Sequence, residues 1–394
     1  MNSIELFAGI GGLGMGVARA GFKQVLAVEK NIECCKTIAE NQNSGVNDLI
    51  EWNVLNDDIK NIDFKKYENK IALVTGGPPC QPFSLGGKHL GNLDVRDSFP
   101  ETVRAIKEIK PKAFIFENVR GLTRKTFANY FEYIILQLTN PELTIKKNES
   151  FAQHLARLEG AHTKGRSSGL SYNIVYHILN AADFGLPQIR QRVFIVGFRS
   201  DTEVSWHFPK PTHSCEELYR SMANGSYWDR HRISIKEREK VIDAGQATLF
   251  KDEKVESLPW LTLRDAICDL PDPEKFPQEA SAIINHTFQP GARSYKGHSG
   301  SLLDQPSKTL KAGSHGVPGG ENAIRNANGS LRYLTVRESA RLQGFPDNYV
   351  FKGSWGQAMN QLGNAVPVPL AEILGKSVLE AITTPPVQAS RHSR

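Results

Sequence analysis

Cysteine is scarce in this chain of 394 residues, and the few thiols it has are poorly spaced for cross-linking or metal binding. Cys34, Cys35, Cys80, Cys215 and Cys268 are odd in number and include no CxxC pair, which argues against a disulfide framework and a zinc site. No metal is expected. Long apolar runs are lacking as well: none approaches the ~18 residues that a membrane span requires, so no membrane partner is expected either. The opening residues Met1-Asn2-Ser3-Ile4-Glu5 carry no basic segment of the signal-peptide kind and lead straight into a glycine-rich loop. A cytoplasmic location follows as an expectation, and reducing surroundings suit the free thiols.

What is present describes an ordinary globular protein, with 40% hydrophobic and 23% charged residues. A chain well beyond the ~150 residues typical of one domain should form two. The net charge of +6 is modest for a nucleic-acid binder, so its distribution says more than its sum. Between Arg104 and Lys125 seven basic residues (Arg104, Lys107, Lys110, Lys112, Arg120, Arg124, Lys125) face two acidic ones, Glu108 and Glu117. This stretch suits a phosphate-facing rim, although a solvated helix face explains Lys107 to Lys112 equally well.

Apolar runs at Ile4 to Phe7, Val25 to Val28, Ile71 to Val74, Ala113 to Phe116, Ile174 to Leu179 and Val193 to Val196 alternate with helix-compatible stretches. That rhythm predicts a mostly parallel sheet with helices on both faces and ligands at the carboxyl ends of its strands. Leu13 to Ala20 reads as a helix closed by Gly21. Cys34 and Cys35 fall on a later helix and read as packing residues. After Arg199 the pattern gives way to a stretch rich in Gly, Pro, Ser, His and Asn, which predicts a separate loop-rich module. Regular patterning resumes at the capping box Thr335-Val336-Arg337-Glu338, whose helix is stopped by Gly344 and Pro346. A last amphipathic helix, with Leu370, Ile373, Leu374, Ser377, Val378 and Ala381 on one face, should dock back on the first domain. The polar, Pro-containing tail from Thr383 reads as disordered.

Two loops carry chemistry. Phe7-Ala8-Gly9-Ile10-Gly11-Gly12-Leu13-Gly14 sets G-x-G-x-x-G between a strand and a helix, and Glu29 ends the next strand about twenty residues after Gly9. Gly9, Gly11 and Gly12 allow close backbone approach to an adenosine-type ligand, Phe7 and Ala8 border it, and Glu29 can accept both ribose hydroxyl hydrogens. Asp58, followed by Ile59, could reach an adenine amino group, or could equally sit in a surface turn. On these residues alone a nicotinamide dehydrogenase fits as well. The second loop, Gly76-Gly77-Pro78-Pro79-Cys80-Gln81-Pro82-Phe83-Ser84, follows an apolar strand and holds one thiol between residues that restrict the backbone. Cys80 so placed reads as a nucleophile rather than a core residue.

The order of Phe7-Ala8-Gly9-x-Gly11-Gly12, Pro79-Cys80-Gln81, Glu117-Asn118-Val119, Gln188-x-Arg190-x-Arg192 and Gly363-Asn364 resembles the bacterial DNA (cytosine-5)-methyltransferases. The resemblance covers roughly Ser3 to Gly197 and Arg332 to Leu374. It departs at Glu5, where the family usually has Asp, and at a polar insertion from about Asn140 to Ser171. It implies an α/β fold: a Rossmann-like, doubly wound sheet that binds S-adenosylmethionine, over 1–200 and completed by 355–384. A loop-rich target-recognition domain would fill 201–354, and 385–394 would be a disordered tail.

Cytosine C5 is a weak nucleophile, and a thiolate added at C6 activates it. The resemblance gives that thiolate to Cys80, and the carboxyl that protonates or hydrogen-bonds N3 to Glu117, which must then hold a proton. It gives the O2 contact to Arg192 and a phosphate or catalytic-loop contact to Arg190. Pro79 and Asn364 match positions around the methyl donor. The base must leave the duplex to react, so double-stranded DNA is the expected partner, bound by a monomer. Gln81 and Ser84 on the cysteine loop, with Arg230, Arg232, Arg293, Lys308 and Lys311, are the candidate DNA contacts. The implied activity modifies one cytosine of a specific duplex sequence, as the modification partner of a restriction system. A tRNA cytosine methyltransferase shares the catalytic motifs. The dehydrogenase reading leaves Cys80, Glu117 and both arginines without a task.

Overall fold

The computed structural model describes residues 1–79, 98–163, 169–238, 256–293, 299–312, 322–326 and 328–384. Its centre is a seven-stranded sheet in the order β3-β2-β1-β4-β5-β7-β6. The strands are β1 (Asn2–Leu6), β2 (Lys23–Glu29), β3 (Val54–Asn56), β4 (Leu73–Gly76), β5 (Ala113–Val119), β6 (Tyr172–Asn180) and β7 (Gln191–Arg199). Strands β1 to β5 pair in parallel, and β7 runs antiparallel between β5 and β6. All six apolar runs fall on strands apart from Phe7, just past β1, and Ile71 and Ala72, just before β4.

Period-two alternation explains the layers. Phe114 and Phe116 of β5, with Val193 and Ile195 of β7, face a core built on helices α3 (Phe99–Ile109) and α4 (Ala128–Thr139). Ala113, Ile115, Phe194 and Val196 face the opposite core, shared by α1 (Gly12–Arg19) and the C-terminal helix Val368–Thr383. The sheet is therefore buried on both sides, the doubly wound arrangement expected of continuous apolar strands.

A third core joins the side of helix α2 (Ile32–Asn43) to the later chain. Ala8, Ala27, Ile38 and Leu49 pack with Leu263, Leu310, Leu334, Leu342, Phe345 and Phe351. Much of the stretch that composition assigns to a separate module thus shares a core with the first fifty residues. Leu218, Met222, Tyr227 and Trp228 form a distinct small cluster. Composition could not reveal the partition, because the later apolar residues are scattered between loops. Within the polar insertion, helix α5 (Phe151–Thr163) packs on α4 through Tyr133, whose ring lies tilted against Phe151 and whose hydroxyl meets His154 Nδ1 at 2.8 Å.

Arg104 and Lys110 do not form part of a free basic rim. Arg104 pairs with Glu101 and Glu108, and Lys110 with Glu68. Arg120, Arg124 and Lys125 remain exposed just beyond β5. The capping box at Thr335 forms as predicted, with Thr335 Oγ1 accepting from Glu338 N and the Glu338 carboxylate accepting from Thr335 N.

The C-terminal helix crosses α1 at glycines. A Cβ on Gly16 would stand 2.4 Å from Val368 O and 2.5 Å from Ala371 Cβ. Gly16→Ala should therefore lower stability by ~1–3 kcal/mol through overpacking, outweighing the helix propensity that alanine adds, and a thermal melt checks this. Beneath α1 lies Glu5, 2% exposed, whose Oε1 accepts from Gly14 N at 3.1 Å while Oε2 has no partner. Burial, reinforced by the nearby Glu29 charge, pushes its carboxyl from 4.5 to about 8. Between those values the folded chain keeps a proton that the unfolded chain has lost, so stability falls as pH rises through this window. Urea unfolding at pH 5 and pH 8 should show a smaller loss in Glu5→Gln than in the unaltered chain.

Candidate active site

Helix α1 begins where β1 ends, and the turn between them requires unusual backbone. Phe7, Gly9 and Gly11 have φ of 56°, 56° and 82°. For a bulky residue such as Phe7 the left-handed region costs on the order of 1–3 kcal/mol, a strain that recurs at ligand sites. Gly12 admits no side chain, since a Cβ would stand 2.3 Å from Val366 O. The loop thereby exposes the first amides of α1 toward the carboxyl ends of β1, β2, β4 and β5, where the strand order reverses.

A cavity of about 630 Å³ opens there. Phe7, Ala8, Gly9 and Gly12 form its glycine-loop wall, with Glu29 at the end of β2 and Gly77, Pro78 and Pro79 after β4. Glu117, Asn118, Val119, Arg190, Arg192 and Asn364 complete the opposite side. The volume suits a nucleoside-sized cofactor. Glu29 braces the glycine loop, its Oε2 accepting from Gly9 N at 2.7 Å and its Oε1 from Asn31 N at 2.6 Å. Each carboxylate oxygen keeps a lone pair for a ribose hydroxyl. An open glycine cradle, a helix N-terminus and a strand-end carboxylate together fit S-adenosylmethionine.

At the far end, antiparallel pairing sets Val119 opposite Arg192 and Glu117 opposite Phe194. Arg192 Nε stands 2.9 Å from Glu117 Oε1, within ion-pair distance but without hydrogen-bond alignment, so that buried oxygen keeps an unfilled bond. Burial raises the Glu117 carboxyl above the ordinary range, opposed by the charges of Arg192 and then Arg190. Gly77 lies directly against this carboxyl: a Cβ there would be 3.5 Å from Glu117 Oε2. Asn118 donates from Nδ2 to Pro78 O at 3.0 Å and so fixes the turn that leads into Cys80. Asn118 was legible only as part of the Glu-Asn-Val motif, with no signal of its own.

Several predicted residues stand elsewhere. Asp58 is paired with Lys30 at 2.7 Å and caps a short turn through Lys60 N, and Ile59 is buried in the core, so neither lines the cavity. Gly11 shapes the turn beside Trp52 without reaching the cavity wall. Arg190, 1% exposed, donates to backbone carbonyls rather than facing solvent. Arg230 is held by Asp265 at 2.8 Å and lies over the Tyr227 ring. Arg232 and Arg293 are exposed. Lys308 and Lys311 flank a segment that runs beside the lead-in to β7, through Ile189 N to Ser307 O at 2.9 Å and Thr309 Oγ1 to Ile189 O at 2.7 Å. Cys80, Gln81 and Ser84 lie outside the described residues, as does the 385–394 tail.

The wall also holds residues that sequence reasoning missed. Asn31, Glu33 and Cys34 from α2 face Gln357, Asn360 and Gln361 from the helix Trp355–Asn364. The spacing of 357, 360, 361 and 364 marks one helical face, a signal available in the sequence. Burial pushes the Cys34 thiol up to about 12 and Cys35 to about 11, leaving both protonated and unreactive. No helix among the described residues is long and apolar enough to cross a membrane, and no group of three or more His, Cys, Asp or Glu among them could hold a metal.

The chain is similar to known proteins in sequence and in fold. The model of the C-5 cytosine-specific DNA methylase family matches residues 1–146 and 157–380. The chain is 33% identical over 388 residues to the Type II methyltransferase M.PspPI of Psychrobacter sp. (strain TA137), covering 97% of this chain and 80% of that protein. It is 30% identical over 386 residues to the Type II methyltransferase M.NgoMIV of Neisseria gonorrhoeae, covering 97% and 98%. In fold it is similar to S. pombe Dnmt2 methyltransferase, with a TM-score of 0.56, 18% identity and coverage of 98% of this chain and 100% of that one. The gap in the family match, 147–156, falls within the insertion that carries the start of α5. The glycine cradle, the Glu117 and Arg192 pair and the matched length of chain make this protein a member of the C-5 cytosine-specific DNA methylase family, an enzyme that methylates cytosine C5 in DNA with S-adenosylmethionine.

Proposed function

We propose that the protein methylates one cytosine within a specific duplex sequence through a covalent bond between Cys80 and C6 of a base turned out of the helix. The observation that carries this reading is the Glu117 carboxyl in the cavity wall: buried, raised, short of one hydrogen bond and packed against Gly77 of the segment that leads into Cys80.

In its protonated form Glu117 donates to cytosine N3, drawing electrons from C6 toward the ring nitrogen. Arg192 supplies the donors for O2 and holds the Glu117 carboxyl in place. The Cys80 thiolate then forms a bond to C6, and the electron pair of the C5–C6 double bond becomes available at C5. When bound at the glycine loop, S-adenosylmethionine supplies the electrophilic methyl group that C5 accepts. Loss of the C5 proton to a water or hydroxide base, return of the N3 proton to Glu117 and departure of the Cys80 thiolate restore the aromatic ring, with S-adenosylhomocysteine as the other product. Phe7, Ala8, Gly9, Gly12, Glu29, Pro79 and Asn364 would hold the cofactor, while Cys34 and Cys35 take no part.

Residues 1–200 with 355–384 would perform this chemistry, and 201–354 would read the duplex from the core that joins both parts. Lys308 and Lys311, beside the lead-in to β7, and the exposed Arg120, Arg124 and Lys125 would meet phosphates of the duplex. Gln81 and Ser84 would meet DNA from the cysteine loop. Similarity to Type II methyltransferases supports a role in protecting DNA from a cognate endonuclease.

Labelled S-adenosylmethionine incubated with cytosine-containing duplex should label C5, with labelling lost in Cys80→Ala and kept in Cys35→Ala. Activity in Cys80→Ala would refute the covalent route, and labelling of tRNA in place of DNA would reassign the substrate. Glu117→Ala should lower kcat by ~10²–10⁴-fold, the usual scale of lost acid catalysis, with S-adenosylmethionine affinity unchanged in a binding titration. Replacing Arg120, Arg124 and Lys125 together by Gln should reduce the salt dependence of log K for duplex by about 2 to 3 units of slope.

A further inference from the structure

The family resemblance gives Arg190 to phosphate or to the catalytic loop, and the structure puts its guanidinium elsewhere. We infer that Arg190 is a positioning residue for the methyl-donor site, holding the turn that presents Asn364 to the cavity.

A helix leaves its last four carbonyls without intrahelical partners. The helix Trp355–Asn364 ends against the cavity, and its final carbonyls are buried, so something inside the protein must donate to them. Arg190 Nη2 donates to Gly363 O at 2.9 Å and to Ala365 O at 2.8 Å, the two carbonyls that flank Asn364. Its Nη1 donates to Leu310 O at 3.2 Å. Gln343 Nε2 completes the set by donating to Leu362 O at 2.6 Å and Ala365 O at 3.2 Å. Carbonyls 362, 363 and 365 are thus all fixed around one exposed cavity side chain, Asn364.

The anchor is itself held. Gln188 Nε2 donates to Leu342 O at 3.2 Å and to Gln343 Oε1 at 3.3 Å, while its Oε1 accepts from Leu310 N at 3.1 Å. Alternate residues Gln188 and Arg190 therefore turn inward toward the same turn, and Arg192 turns to Glu117. A lysine at 190 could not replace this arrangement, since one ammonium cannot occupy both the Nη2 place, which bonds the two flanking carbonyls, and the Nη1 place, which bonds Leu310 O. A cation also belongs at a helix C-terminus, where the backbone dipole is negative. With 1% exposure and both terminal nitrogens engaged, the guanidinium is not presented to a phosphate.

This inference rests on the reading of Asn364 as a methyl-donor contact, and one set of titrations separates the two. The full-length chain and the variants Arg190→Lys, Asn364→Ala and their double would be titrated calorimetrically with S-adenosylmethionine, and with duplex at several salt concentrations, alongside steady-state kinetics. Arg190→Lys should raise Kd and KM for S-adenosylmethionine about tenfold, about 1.4 kcal/mol, with kcat and the duplex salt slope unchanged. The double variant should bind S-adenosylmethionine no more weakly than Asn364→Ala, because both changes act through one side chain. Unchanged cofactor affinity in Arg190→Lys and in the charge-removing Arg190→Gln, with duplex affinity reduced and the slope lowered by about 1 in Arg190→Gln, would assign Arg190 to phosphate and overturn the inference. Unchanged affinity in Asn364→Ala would instead overturn the reading of Asn364. Circular dichroism reports folding, and should the lysine variant not fold, Arg190→Gln, which removes the buried charge and keeps an amide donor, carries the same expectations.

Discussion

One buried carboxylate, Glu117, shares a low-dielectric corner with the buried guanidinium of Arg190 and the partly buried one of Arg192, and the site depends on how that imbalance is resolved. Desolvation opposes every charge in such a place, and an unpaired one costs more than a paired one. Arg192 resolves its part by standing at ion-pair distance from Glu117. Arg190 resolves its part by donating to three backbone carbonyls. The carboxyl is left raised by burial and short of one hydrogen bond, a state suited to holding a proton next to a ligand.

Geometry at this corner comes from β7, the strand that runs antiparallel between β5 and β6 at one side of the sheet. Because β7 runs against β5, the start of β7 meets the end of β5, and Arg192 meets Val119 beside Glu117. A parallel β7 would have carried those arginines to the opposite edge. The same corner receives the end of the chain: Arg190 grips the turn at Asn364, and Tyr349 Oη donates to Ile10 O in the glycine loop at 2.7 Å. Segments more than three hundred residues apart in sequence thus form one wall. The cavity needs the whole chain, which explains why the late residues share a core with the first fifty.

Strands and the main cavity residues were legible because each rests on a local signal. Apolar runs bounded by turn residues gave the six longest strands, and Phe7, Ala8, Gly9, Gly12, Glu29, Pro79, Glu117, Arg192 and Asn364 all line the cavity. Asp58 was legible only as a carboxylate near a strand end, and Lys30 takes it, a pairing across two loops that no spacing reveals. Arg190 was legible as a motif residue, but its direction depends on where residues 310 and 363 fold. The left-handed Phe7 and the partnerless Glu5 oxygen likewise follow from tertiary packing. So does the shared core, since its members Leu263, Ile267 and Leu310 sit in a stretch whose composition reads as loop.

The central claim, that this chain marks one cytosine of a defined duplex sequence through Cys80, is tested most directly by bisulfite sequencing of DNA from cells expressing the protein or its Cys80→Ala variant. The account predicts cytosines protected within a single recurring sequence for the unaltered protein and none for the variant. Protection without a common sequence, no protection at all, or the same protected sites in both would contradict it.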